Sequence, residues 1–216
     1  MDIAIVAYEN MAALDAIGPF EVFANLPDAT VTWVGVDVGV KRTEEGKNGA
    51  GISADVALEE LPHPDIIVVP GGHGEQALRK NERFLGWLRA AHETSQWTTS
   101  VCTGSLLLGA AGLLEGKRAT SHWLALDELA KFGAEPTSER VVIDGKIVTG
   151  AGVSAGIDMA LTLTGMIAGD LVAQTIQLGI EYDPQPPFDA GAPHKAPEFA
   201  VNYLRDSSRF LLTGQK

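Results

Sequence analysis

The chain has 216 residues and a single cysteine, which excludes an intrachain disulfide, a Cys₄ or Cys₂His₂ zinc site and a CxxC redox pair. Its 16 Lys and Arg against 28 Asp and Glu leave a net charge of −12, which argues against nucleic acid and anionic membrane as partners, because both demand a basic surface. Apolar residues at 45% and charged residues at 20% are globular values, and a chain of this length buries roughly 70–75% of its unfolded surface without covalent staples.

Met1-Asp2-Ile3 opens with an acid rather than a basic leader, and no apolar run approaches the roughly 18 residues a membrane span requires, so a cytoplasmic location is expected. An unpaired thiol fits a reducing compartment. In chain order, Ile3 to Tyr8 reads as a buried strand, followed by a helix from Leu14 to Leu26 and a second strand from Val31 to Val38. Asp65 to Val69 is a third strand, running into Pro70-Gly71-Gly72, and helical spacing returns between Asn81 and Thr94. Trp97 to Val101 is a fourth strand, and helices are expected at Ser105–Leu114 and Leu124–Phe132. Val141 to Thr149 reads as a hairpin turning on Asp144-Gly145. Helices at Ser154–Ala168 and Leu171–Ile180 precede a proline-rich wrap from Glu181 to Pro197, and a last helix is expected at Glu198–Leu212. Strands alternating with helices imply a single α/β domain over residues 1–216, with a mainly parallel sheet sandwiched between two helical layers.

In such sheets ligands gather at the carboxyl ends of strands. Three places qualify: Asp15 after the first strand, Gly71-Gly72-His73-Gly74 after the third, and Cys102 after the fourth. At Cys102 a strand ends at Val101 and a helix begins within three residues, and so abrupt a turn needs small residues on either side, which Ser100 and Gly104 supply. This is the logic of a nucleophile elbow with sulfur in place of oxygen. The helix N-terminus is expected to favour the thiolate, although a free cysteine is most often a small buried hydrophobe. The amides of Gly72 and His73, with that of Thr103, are candidates to stabilise negative charge on a substrate. Asp15, in the first turn of its helix, is a helix cap or a carboxyl partner for Cys102. His122 is a candidate thiolate activator or a structural histidine. A further helix start at Thr149 to Ser154 would bring Val153 towards the same place. No His, Cys and carboxylate cluster suggests a metal.

Several blocks carry a resemblance: Leu14-Asp15-x-x-Gly18-Pro19, Val69-Pro70-Gly71-Gly72-x-Gly74, Ser100-Val101-Cys102-Thr103-Gly104-Ser105, Gly109-Ala110-Ala111-Gly112-Leu113-Leu114, Arg118-Ala119-Thr120-x-His122-Trp123, Ala155-Gly156-Ile157-Asp158 and Glu181-Tyr182-x-Pro184-x-Pro186-Pro187-Phe188. In these the chain resembles the ThiJ/PfpI superfamily, and within it the isonitrile hydratase branch. The resemblance implies a flavodoxin-like, class I glutamine amidotransferase-like sandwich and a homodimer. It implies Cys102 as nucleophile, Asp15 as its acid and base and Thr103 as a neighbouring hydroxyl, with Gly72, His73, Val153 and His122 around the substrate. The implied reaction adds water to an isonitrile, a small-molecule substrate, giving an N-substituted formamide with no cofactor and no metal. Ile17 and His73 depart from the branch's pattern and bear on substrate identity. The resemblance leaves three other functions open: a cysteine-based redox sensor, a glyoxalase or deglycase, and a ligand-binding domain like that of AraC-type regulators.

Overall fold

The computed structural model describes residues 1–44 and 48–208. Strands β1 (Asp2–Val6) and β6 (Ile66–Val69) are apolar because they run through the middle of the sheet, and Ile3 to Val6 and Ile66 to Val69 are all buried. Around them are β2 (Thr30–Gly35), β5 (Val56–Ala57), β7 (Trp97–Val101), β10 (Val141–Asp144) and β11 (Ile147–Gly150). The seven strands lie in the order β10-β11-β7-β6-β1-β2-β5, parallel throughout except for the antiparallel β10–β11 pair. A separate antiparallel pair, β3 (Gly39–Arg42) with β4 (Gly51–Ala54), and a short parallel pair, β8 (Arg118–Ala119) with β9 (Glu135–Pro136), complete the strands of the described residues.

From β1 the chain steps one way to β2, whereas β6 and β7 lie on the other side of β1, so the order reverses between β1 and β6. Right-handed crossovers stepping in opposite directions put their helices on opposite faces. One layer contains α1 (Ala13–Phe23), α5 (Ala155–Ala168) and α6 (Asp170–Gly179), with α5 packed against both others. The other contains α2 (Glu75–Leu78), α3 (Glu82–Thr94) and α4 (Gly104–Ala110). α1 and α5 approach closely because Gly156 leaves room for the ring of Pro19, which a Cβ there would meet at 3.1 Å. The loops after β1, β6 and β7 open together at the reversal point, where a parallel sheet holds its ligands.

Two expectations need correction. The β10–β11 loop is Gly145-Lys146, with Asp144 paired to Ile147 inside the strands, and Gly145 has φ +62°, as a first loop position of type II′ requires. Leu126–Phe132 is 3₁₀ rather than α, carried by i→i+3 bonds such as Glu128 N–H to Ala125 O and closed by Gly133 at φ +72°. The last described helix, α7, spans Glu198–Asp206, and the part of the expected helix beyond Ser208 lies outside the described residues. β3, β4 and β5 are not apparent from the sequence, because β3 and β4 alternate exposed with mostly half-buried residues over only four positions each and β5 is two residues long.

Candidate active site

Cys102 occupies a left-handed backbone conformation at φ +58°, which costs a side-chain-bearing residue about 1–2 kcal/mol. The surroundings hold it there. Its N–H forks between Gly150 O at 3.0 Å and Ala151 O at 2.7 Å, and its carbonyl accepts the hydroxyls of Ser105 and Ser121, each at 3.1 Å. Gly104 is obligatory beside it, since a Cβ there would lie 2.1 Å from Val69 O. These contacts form the elbow that the small flanking residues imply. The two serines escaped the sequence reading, although a hydroxyl three residues after the cysteine, reaching back to its carbonyl, is a recognisable local pattern.

Asp15 is completely buried in the first turn of α1, and none of the helix-capping hydrogen bonds is made by its side chain. Its Oδ2 accepts the Gly71 N–H at 2.9 Å, and Oδ1 is sealed off without a conventional donor. The carboxyl adjoins the Cys102 thiol. Burial raises the pKa of Asp15 to about 7, against the lowering effect of the Gly71 amide and the thiol. Burial also pushes the Cys102 thiol well above its usual range, and the Asp15 charge adds to that; the amides of Val153 and Thr103 pull the other way and are outweighed. The expectation of a thiolate favoured by the helix N-terminus is therefore corrected: the resting thiol keeps its proton, and Asp15 is the group that titrates near neutrality.

The glycine loop has a different job from the one its composition suggests. The Gly71 amide holds Asp15, the Gly72 amide donates to Thr103 Oγ1 at 2.9 Å, and the His73 amide donates to Glu44 Oε1 at 2.9 Å. Gly72 and His73 thus spend their amides on the protein itself, and the exposed His73 ring pairs with Glu44 at 2.8 Å, outside the site. The amides aimed at the sulfur are those of Thr103 and Val153. A Cβ on Gly71 would come within 2.5 Å of Thr103 N and 2.9 Å of Asp15 Oδ2, so only glycine fits between these two side chains.

His122 forms no hydrogen bond to Cys102 among the described residues. Its Nδ1 accepts the Leu124 N–H at 3.3 Å, and burial lowers its pKa, so the ring is neutral and forms part of a wall. That wall belongs to a cleft of about 470 Å³ that contains Ser121, Ala151 and Val153, direct neighbours of the nucleophile. Leu14, Trp123, Leu126 and Pro193 give it an apolar lining, and Arg140 and His194 stand on its polar side. Pro193 and His194 come from the proline-rich wrap, which Tyr182 ties down by donating to Asp158 Oδ2 at 3.0 Å. A larger groove of about 750 Å³, between α1 and α6, shares Leu14 with the cleft, but it is the smaller cleft that holds Ser121, Ala151 and Val153, each of which hydrogen-bonds to Cys102. Among the described residues, no group of three or more His, Cys, Asp and Glu side chains is arranged to hold a metal ion.

The chain is 44% identical over 205 residues to isonitrile hydratase from Pseudomonas putida, covering 95% of this chain and 89% of that one. It is 35% identical over 128 residues to the HTH-type transcriptional regulator CdhR from Pseudomonas aeruginosa, covering 58% of this chain but 38% of the regulator. The crystal structure of a ThiJ/PfpI family protein from Pseudomonas syringae superposes with a TM-score of 0.92 at 36% identity, covering 95% of this chain and 84% of that one. Drosophila melanogaster DJ-1beta shares the fold, with a TM-score of 0.75 at 20% identity over 85% of this chain and 98% of that one. The DJ-1/PfpI family model matches residues 1–166, and the chain belongs to the DJ-1/PfpI family.

Proposed function

We propose that the protein is an isonitrile hydratase, converting an isonitrile and water to an N-substituted formamide. The likeness to the Pseudomonas putida enzyme over nearly the whole chain supports the substrate class. The observation that carries the chemistry is the fully buried carboxyl of Asp15, held by the Gly71 amide and adjoining the Cys102 thiol.

As carboxylate, Asp15 takes the Cys102 proton while the sulfur attacks the terminal carbon of the isonitrile. The same proton then passes from Asp15 to that carbon, giving a thioimidate, R–N=CH–S–Cys102. Water loses a proton to Asp15 as its oxygen adds to the C=N carbon, and Asp15 passes that proton on to the nitrogen; the hydroxyl proton is the one the sulfur takes up next. Collapse of this adduct expels the sulfur, which recovers its proton, and releases R–NH–CHO. The sum is one isonitrile plus one water, with no electron gained or lost. Thr103 and Val153 amides stabilise the sulfur whenever it carries charge. The apolar lining of the cleft favours a hydrocarbon group on the isonitrile nitrogen.

The same reading takes residues 1–216 as one domain acting in the cytoplasm as a homodimer. Leu171, Leu178, Phe199 and Tyr203 of α6 and α7 are 64–80% exposed, and a second copy would cover them. The test of the reaction is incubation with an alkyl isonitrile and detection of the formamide by NMR. Formamide is expected from the wild type and none from Cys102→Ala. Absence of formamide from the wild type, or its persistence in the variant, overturns the reading.

A further inference from the structure

We propose that Tyr8 is a positioning residue for Asp15, acting through the peptide group that joins Pro70 to Gly71. The proposal rests on the reading above only in taking Asp15 as the group that moves the proton.

Tyr8 lies just beyond the end of β1 and is 5% exposed. Its hydroxyl donates to Pro70 O at 2.9 Å, and the Gly71 N–H donates to Asp15 Oδ2 at 2.9 Å. The Pro70 carbonyl and the Gly71 N–H are the two ends of one amide. The phenol, the peptide and the carboxyl therefore form a single buried relay whose central member is planar. That peptide has little room to turn. A side chain at position 71 would strike Thr103 and Asp15, and one at position 104 would meet the Pro70 carbonyl carbon at 2.9 Å. The hydroxyl of Tyr8 is the bond that fixes the carbonyl end, as Asp15 fixes the amide end.

The relay has a direction. An amide whose carbonyl accepts a hydrogen bond is more polarised, and its N–H becomes a stronger donor, by about 10–30% per bond in condensed-phase estimates. A stronger Gly71 donor favours the charged form of Asp15. The phenol keeps its proton throughout, since it is buried and faces Asp15 from α1, Glu75 from α2, Cys102 from the β7–α4 turn and Glu44 from the loop after β3. It therefore donates at every pH at which Asp15 titrates. Besides Tyr8, the charged or titratable groups bearing on Asp15 are Cys102 and Glu44, and Tyr8→Phe leaves both side chains in place.

The test is Tyr8→Phe, with the Asp15 carboxyl followed by carbon NMR of ¹³C-aspartate-labelled protein and assigned by its loss in Asp15→Asn. The Asp15 midpoint is expected to rise by about 0.2–0.5 pH unit, while those of Asp65 and Asp144 stay in place. A folded Tyr8→Phe protein with an unmoved Asp15 midpoint overturns the proposal, even if its melting temperature falls, because a purely structural tyrosine would do only that. A fluorotyrosine placed at position 8 is a stronger donor, and it is expected to shift the midpoint down. It also tests the proposal should Tyr8→Phe fail to fold, and an unmoved midpoint there is equally fatal. No substrate is involved, so an enzyme that makes no formamide defeats the proposed reaction and leaves this result standing. An active enzyme with an immobile Asp15 midpoint defeats the role of Tyr8 alone.

Discussion

Asp15 and Cys102 share one buried corner and act on each other's protons in opposite senses: the thiol stabilises the Asp15 carboxylate, while that carboxylate holds the proton on the thiol. The two accessible states of the pair therefore differ by one proton, carried by Asp15. It rests as carboxylate and thiol above the Asp15 midpoint, and as carboxylic acid and thiol below it. Only the first state contains both a base and a proton for that base to collect.

The rate should follow that state. Asp15 titrates at about 7, so kcat/KM for an isonitrile is expected to rise about tenfold per pH unit below 7 and to level off above it. The thiol, pushed far higher, adds no limb in the neutral range. A pH series of initial rates from 5 to 9 checks this. A profile flat across that range would mean that Asp15 does not act as the base.

Gly71→Ala tests whether the glycine loop serves the protein's own side chains. The new Cβ would lie 2.5 Å from Thr103 N, 2.6 Å from Thr103 Oγ1 and 2.9 Å from Asp15 Oδ2, all atoms fixed by main chain or hydrogen bonds. Overpacking of this kind costs about 1–3 kcal/mol, and displacement of Asp15 by about 1 Å is expected to lower kcat about 100-fold. Gly86→Ala is the control. Position 86 lies within α3 with open space around its Cβ, so alanine there should stabilise the protein by about 0.5–1 kcal/mol and leave the rate alone. Urea unfolding and steady-state kinetics on the two variants check both halves. Equal rates in the two would reduce the loop to a plain turn.

The parts of this design that were legible in the sequence are those set by local chemistry. β1, β6 and β7 announce themselves because both of their faces are covered, and the elbow at Cys102 does so because its flanks must be small. The β3–β4 pair was illegible because its strands are four residues long, only half withdrawn from solvent, and leave no apolar run. The allocation of the loop amides was hidden for another reason. The acceptors that claim the Gly72 and His73 amides are Thr103 and Glu44, 31 and 29 residues away in the chain, and only the fold brings them there. The sign of the Cys102 shift was misread on the same grounds. A helix N-terminus is visible locally, whereas the burial that outweighs it is set by the whole fold.

Asp15→Asn should separate stability from activity. A carboxyl whose folded pKa is about 7, against 3.8 unfolded, binds more protons in the native state between those values, so its contribution to stability declines as pH rises from about 4 to 7. Above 7 the wild type carries a buried, imperfectly paired charge that asparagine removes while its side-chain oxygen can still accept from Gly71. The variant is therefore expected to be close to wild type in stability at pH 4.5 and more stable by on the order of 2–4 kcal/mol at pH 8. Other carboxyls, such as those of Asp65 and Asp144, have lowered pKa values and titrate in the opposite sense, but they are common to both proteins and cancel in the difference. Denaturant unfolding of the two proteins at a series of pH values gives that difference directly. A gap that stays constant with pH would show that Asp15 enters the folded protein with an ordinary pKa, whereas a gap that widens alongside a lost rate would identify its burial as stability given up for proton transfer.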